Sequence, residues 1–211
     1  MKKLITLIFI TLLLPLTACA KQFEEGTHYT TFEGMESSKP EVKEYFSFYC
    51  PHCFNFEPLV KSIKGNLPEG VKFEKSHVDF LRAASPEIQH ALTRAMVVAK
   101  HLKMEDKLNK AIFEYIHKQR APFTSEKDIR NLFVLQGVDG EKFDKLMKSF
   151  PVKGKANAMK KSQDELTRRG VLTSVPTFIV NGKYKIIFDD LDRNNFEAEL
   201  KALIAHLSAK K

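Results

Sequence analysis

Cys50-Pro51-His52-Cys53 constrains this chain more than any other feature. Two thiols stand at C-x-x-C spacing, directly after the apolar, aromatic run Tyr45-Phe46-Ser47-Phe48-Tyr49 and directly before a helix-like stretch. The only other cysteine, Cys19, lies in an apolar N-terminal leader. A lone C-x-x-C pair at a strand-to-helix junction is the pattern of a thiol–disulfide redox centre.

The leader reads as a targeting segment. Lys2 and Lys3 form a basic start, residues 4–14 an apolar core, and Pro15 to Ala20 a small-residue region. The apolar core is too short for a mature membrane span. The pattern is that of a bacterial export signal, so the expected compartment is the periplasm. Two cleavage readings are open. Ala18-Cys19-Ala20 fits release at Lys21 as a soluble chain, which we place ahead. Leu16-Thr17-Ala18-Cys19 also fits a lipobox that would anchor the chain through a lipidated Cys19. Neither makes Cys19 a partner for Cys50 or Cys53.

At 211 residues and 43% hydrophobic, the chain can bury one substantial core with an inserted subdomain. The net charge of +8 comes from lysines spread along the whole sequence, with no basic stripe or stacking motif. That is the composition of a solvated basic surface. Together with export it argues against a nucleic-acid partner.

Residues 42–48 are expected to form a buried strand. Pro51, suited to a first helical turn, opens a helix to about residue 64, with a kink predicted at Pro58. Residues 71–80 suit a second strand. Residues 85–150 are helical in pattern, with a stop at Pro151. A charged amphipathic helix over 155–169 follows, then a hairpin about Asn181-Gly182, then a closing helix over 194–208. This is α/β, in the order of a thioredoxin-like fold with an inserted all-helical domain. The expected division is a signal peptide over 1–20, a thioredoxin-like domain from 21–82 and 152–211, and the helical insertion at 83–151.

Three stretches carry a resemblance: Gln22 to Gly26 with His28-Tyr29; Glu44 through Cys53; and Val175-Pro176-Thr177-Phe178-Ile179-Val180-Asn181-Gly182-Lys183-Tyr184. With Pro-His between the cysteines, the mature chain resembles the DsbA thiol:disulfide oxidoreductases of the bacterial periplasm. It departs from them at Pro58, where an acid is common, at Ser174, where glycine is common, and in lacking Trp.

Cys50 is the candidate nucleophile. At a helix N-terminus its sulfur meets unpaired N–H groups and the positive end of the helix dipole. His52 can add a hydrogen bond or a positive charge. A stabilised thiolate is a good leaving group, which destabilises the oxidised pair and favours donating the disulfide. Cys53, one turn inside, is expected to be more buried, to close the disulfide and to resolve mixed disulfides. A zinc site would need two further ligands, and no second C-x-x-C or paired histidines supply them. Haem attachment needs His where Phe54 stands. No cofactor is expected beyond the cysteine pair.

Glu44 is a carboxylate in an apolar strand, costly there unless used or hydrogen-bonded. The resemblance implies a partly buried acid beneath the active site that helps move the Cys53 proton; an exposed strand-start residue is the alternative. Glu57 is expected to be a solvated helix residue. The resemblance further implies a cis Val175–Pro176 bond beside the cysteines, with the Val175 backbone open to an extended substrate. The remaining histidines are expected in surface or structural roles.

The implied activity is that of a monomeric dithiol oxidase. It would donate the Cys50–Cys53 disulfide to reduced, unfolded exported proteins and be re-oxidised by a DsbB-like membrane quinone reductase. Two alternatives stand beside it. A disulfide isomerase or reductase would share the sulfur chemistry, but known isomerases carry an additional dimerisation domain for which this chain has no room. A peptide-binding holdase would make the thiols incidental.

Overall fold

The computed structural model describes residues 23–34, 37 and 39–210; the leader and Cys19 lie outside them. Five strands form one mixed sheet in the order β1-β5-β4-β2-β3. Strand β2 (Glu41–Phe46) runs parallel to β3 (Lys72–His77) and antiparallel to β4 (Thr177–Val180). A parallel pair needs a crossover, and helix α1 (Pro51–Gly65) provides it. Strand β4 turns through Asn181-Gly182 into β5 (Tyr184–Ile186). Both turn residues have positive φ, 52° and 72°, as a two-residue primed turn requires.

The two-residue alternation of β2 decides what each sheet face carries. Val42, Glu44 and Phe46 share one face with their β3 partners Phe73, Lys75 and His77 and with Phe178 and Val180 of β4. Apolar positions of α1 (Val60, Ile63) and of α7 (Phe196–Ala209; Leu200, Leu203, Ile204, Leu207) cover part of that face. Tyr45 and Ile179 point to the other face and pack with Leu166 of α6 (Phe150–Arg168). The Tyr45 hydroxyl lies 2.8 Å from Ser162 Oγ.

Between β3 and β4 the chain is helical throughout: α2 (Pro86–His101), α3 (Glu105–His117), α4 (Glu126–Leu135), α5 (Gly140–Lys148) and α6. Their apolar faces join Phe46, Phe48, Tyr49 and both cysteines in one core cluster. Ser85 caps α2 by accepting the Ile88 N–H at 3.3 Å. Ser125 and Asp128 form a capping box at α4.

Helix α1 contains Pro58. Two points differ from the sequence reading. Pro51 and Pro151 both occupy the first turn of a helix, so Pro151 opens α6 as well as following α5; a first-turn position has no use for the missing N–H. A short edge strand, β1 (Tyr29–Thr31), pairs with β5, where sequence periodicity over three residues carries no signal.

Asn181 ties three elements together. Its Oδ1 accepts the Glu41 N–H at 3.2 Å, and its Nδ2 donates to the carbonyls of Leu207, Ser208 and Lys210 at 3.1–3.4 Å. Asn181→Gly keeps the left-handed conformation but loses this clasp, and is expected to cost about 1–3 kcal/mol. Asn181→Ala is expected to cost about 1 kcal/mol more, because Ala resists positive φ. Urea-unfolding midpoints of the two variants, at unchanged slope, check both figures.

Candidate active site

Strand β2 leads into a tight turn. The Cys50 N–H donates to Ser47 O at 3.0 Å, and the Tyr49 N–H donates to Ser47 Oγ at 3.2 Å. Phe48 is fully buried, its ring against Phe46, His77 and Phe113. Cys50 therefore emerges in a fixed place, as the N-cap of α1, in extended conformation. Its Sγ accepts the Cys53 N–H at 3.2 Å. Pro51 follows in the first turn, and His52 is exposed.

Both thiols are free. Cys50 retains 4% of its surface and Cys53 none, so only the first is in reach of another chain. The Cys53 thiol donates to Cys50 Sγ, and this is the largest cause that brings the Cys50 thiol down, to about 6. Burial opposes the shift; the backbone N–H groups of Cys53 and His52 and the charge of His52 add to it. The same hydrogen bond, with burial behind it and the nearby charges of Cys50 and Glu44, drives the Cys53 thiol far up. One sulfur is thus held as an anion and the other as a thiol.

Across the site, Val175 O lies 3.4 Å from Cys50 Sγ, and the Val175–Pro176 bond is cis. The Thr177 hydroxyl donates to Ser174 O at 2.7 Å, closing the loop before β4. Pro51, His52, Val175 and Pro176 all adjoin Cys50, and the first and last pairs come from segments more than 120 residues apart.

Glu44 has no exposed surface. Its parallel partner across the sheet is Lys75, whose Nζ stands 2.9 Å from Glu44 Oε2 as a contact between charges rather than a directed hydrogen bond. Lys75 also pairs with Glu57 of α1, and its Nζ lies 4.2 Å from the centre of the Phe46 ring. Burial pushes the Glu44 carboxyl up; Lys75 partly offsets this, and the negative charge of Glu57 adds to the rise. Lys75 loses hydration in the interior, yet Glu44 and Glu57 outweigh that and keep it charged. Glu57 differs from its expected solvated state: it is half-buried, pairs with Lys75, and its charge raises the Glu44 carboxyl.

Two partners of the site have no motif. Lys75 is legible only as the inward-facing position of β3 in register with Glu44. His117 of α3 places Nε2 2.8 Å from Phe48 O and stacks on Phe54 at 5.1 Å between ring centres. His77 is buried, bonds Thr93 Oγ1 through Nδ1 at 2.8 Å, and is held neutral by burial, down to about 3. Among the described residues no group of three or more His, Cys, Asp or Glu side chains converges as a metal site.

A family model described as a DSBA-like thioredoxin domain matches residues 41–201. The thiol:disulfide interchange protein DsbA of Escherichia coli K12 is 37% identical over 217 residues, covering the whole of both chains. The protein of the same name from Shigella flexneri is 38% identical over 200 residues, 93% of this chain and 92% of its own. This chain belongs to the DsbA family. The crystal structure of the disulfide oxidoreductase DsbA from Proteus mirabilis superposes with a TM-score of 0.79 at 29% identity, covering 90% of this chain and 98% of that one. The α/β fold expected from the sequence, thioredoxin-like with a helical insertion, is the fold of these DsbA proteins. The activity of the family is thiol:disulfide oxidoreduction, and this chain is an enzyme of that class.

In the reduced protein, thiolate absorbance is expected to appear with a midpoint of about pH 6. It should vanish in Cys50→Ser. In Cys53→Ala the midpoint should move up toward the ordinary thiol value, because the Cys53 thiol donor is gone. The sign for stability follows. A thiol depressed from 9.0 to about 6 stabilises the folded reduced form fully above pH 9 and loses that contribution as the pH falls through 6. The oxidised form has no such group. The stability advantage of reduced over oxidised protein should therefore grow between pH 6 and 9, as measured by paired urea unfolding.

Proposed function

We propose that the protein is a periplasmic dithiol oxidase. The observation that carries this reading is the Cys50 sulfur serving as an N-cap acceptor with its thiol down at about 6. A sulfur so stabilised as an anion favours the reduced pair, and the disulfide is readily given away. The substrates are reduced, unfolded exported proteins. One relative, a Proteus mirabilis DsbA variant, is described in complex with the non-covalently bound peptide PWATCDS, which supports an extended-chain substrate here.

In the proposed reaction a substrate thiolate attacks Cys50 Sγ of the oxidised pair. The Cys50–Cys53 bond breaks and its electron pair leaves on Cys53, which takes up a proton. Glu44, buried beneath the pair with a raised carboxyl, is the proposed source of that proton. The second substrate thiol then attacks the substrate sulfur of the mixed disulfide and expels Cys50 as thiolate. Pro51 shapes the first turn, His52 adds donor and charge to the thiolate, and Val175 with Pro176 lines the place where an extended substrate pairs. A DsbB-like membrane quinone reductase returns the two electrons to the membrane. The pair itself is the redox carrier, and no cofactor, oligomer or nucleic acid takes part. The leader directs export, with soluble release favoured over an anchor at Cys19; among the described residues no helix is long and apolar enough to cross a membrane.

Oxidative refolding of a reduced test protein checks the assignment. Cys50→Ser is expected to abolish it with the fold intact, and so is Cys53→Ser, which leaves Cys50 no disulfide to donate. Glu44→Gln should slow release of Cys53 at least about tenfold without changing the Cys50 midpoint comparably. A redox titration separates the neighbouring readings: a potential as low as a cytosolic reductase would assign the protein to reduction, and intact function in Cys50→Ser would assign it to peptide holding.

A further inference from the structure

Phe150 is the most exposed large apolar side chain among the described residues, with 88% of its surface open to water. It stands where α5 ends and α6 begins. Ser149 closes α5 by donating its N–H to Leu146 O at 3.0 Å, and its own carbonyl accepts the Lys153 N–H of α6 at 3.1 Å. The buried stripe of α6 is Val152, Ala156, Met159, Gln163 and Leu166. Helical periodicity puts Phe150 on the opposite side, in line with Lys153, Gly154, Asn157 and Lys161. The ring belongs to none of the core clusters.

A single exposed ring needs no explanation; its surroundings do. Residues 145–161 contain six lysines and no Asp or Glu, and these lysines account for most of the net charge of +8. The lysines that the sequence reading took as evenly spread are therefore concentrated at this corner. Lys145, Lys148, Lys153, Lys155 and Lys161 are exposed and have no acidic partner within ion-pair distance among the described residues; Lys160 alone is paired, with Asp79 and Asp164. The flanking acids are engaged elsewhere, Asp144 with Arg130 and Glu165 with Arg168 and Arg169. Glu141 lies beyond Lys145, at the start of α5. A second copy of the chain would set these lysines against themselves, and like charges oppose such a contact. An anionic bilayer suits both features of the corner. Its phosphates cover a whole plane, so each lysine meets its own head group without any need to converge, and an apolar layer for the ring lies directly beneath.

We infer that this corner docks on the surface of an anionic phospholipid bilayer, with Phe150 entering the boundary between head groups and acyl chains and Lys145, Lys148, Lys153 and Lys161 meeting lipid phosphates around it. The contact is separate from the disulfide exchange at Cys50 and Val175 and holds for either direction of that exchange. It also needs no acyl group on Cys19.

The test uses the mature chain from Lys21 and two kinds of vesicle, phosphatidylcholine alone and phosphatidylcholine with phosphatidylglycerol at about 2:1. Co-sedimentation is expected with the anionic vesicles and not with the neutral ones, weakening as salt rises. The chain has no tryptophan, so Phe150→Trp adds a lone reporter. Its emission should shift to the blue on anionic vesicles and be quenched by lipids brominated along the acyl chain. Phe150→Ser should weaken binding about tenfold. Changing Lys145, Lys148 and Lys153 together to Gln should weaken it about a hundredfold, whereas the same change at Lys39, Lys72 and Lys185, in the sheet half of the fold, should cost no more than about threefold. Urea midpoints and disulfide exchange in free solution should stay unchanged in all these variants. Equal binding to both kinds of vesicle, binding to neither, an unshifted tryptophan in the bound protein, or equal losses from the two lysine triples would each overturn the assignment. Binding of polyglutamate without binding of vesicles would assign the corner to an acidic polypeptide instead.

Discussion

The structure turns on a sulfur atom taking the place usually held by an oxygen at a helix start. Side-chain oxygens of Ser, Thr, Asp or Asn normally accept the free N–H groups of the first turn. Here Cys50 Sγ accepts the Cys53 N–H, and the Cys53 thiol adds a second donor. The N–H acts more strongly on a sulfur anion than on a sulfur locked in a disulfide, and the thiol donor exists only in the reduced pair. The same local geometry that starts α1 therefore sets the chemical bias of the pair. It separates the two thiols as well: the donor that stabilises charge on Cys50 is the one that gives up its own ionisation.

Beneath the pair lies a group of charges that packing alone does not explain. Taking Glu44 and Lys75 out of water costs several kcal/mol per ion, and an apolar pair of similar volume is often no less stable. Glu57 makes the balance worse for Glu44, as a second negative charge beside the same ammonium. The result is a carboxyl whose proton is held more tightly than a surface acid's, near enough to the pair for its charge to raise the Cys53 thiol. On the proposed reaction, the cost of burying these charges is offset by the proton that Glu44 gives to Cys53. The Phe46 ring against Lys75 Nζ helps to hold the ammonium in place.

Much of this was legible in the sequence, for reasons that differ by element. The hairpin was readable because Asn181-Gly182 is a local signal: both residues must take positive φ. Helices α2 and α4 announce themselves through Ser85 and Ser125 with apolar repeats after them. The sulfur centre was readable because spacing alone brings Cys50 and Cys53 together. What escaped was non-local. Strand β1 is three residues long and exists only because β5 offers it an edge. Glu57 looked like a solvated charge and Lys75 carried no signal, since pairing Glu44 with Lys75 depends on the parallel register of β2 and β3. Pro151 resembled a stop but opens a helix.

The helical block does more than enlarge the core. The two aromatic residues that flank the cysteine motif, Phe48 before it and Phe54 after it, both rest on α3: Phe48 on the Phe113 ring, Phe54 on Phe113 and His117. His117 also bonds the Phe48 backbone directly at 2.8 Å. The sheet with α1, α6 and α7 would still present Cys50 at a helix start, but the turn entering the motif and the first turn leaving it would each have one side open. Loops that carry reacting groups hold their geometry when neighbouring side chains are locked by packing. The inserted helices supply that lock. The position of Cys50 is therefore determined twice, by Val175 O at the sulfur and by His117 of α3 at the backbone leading to it.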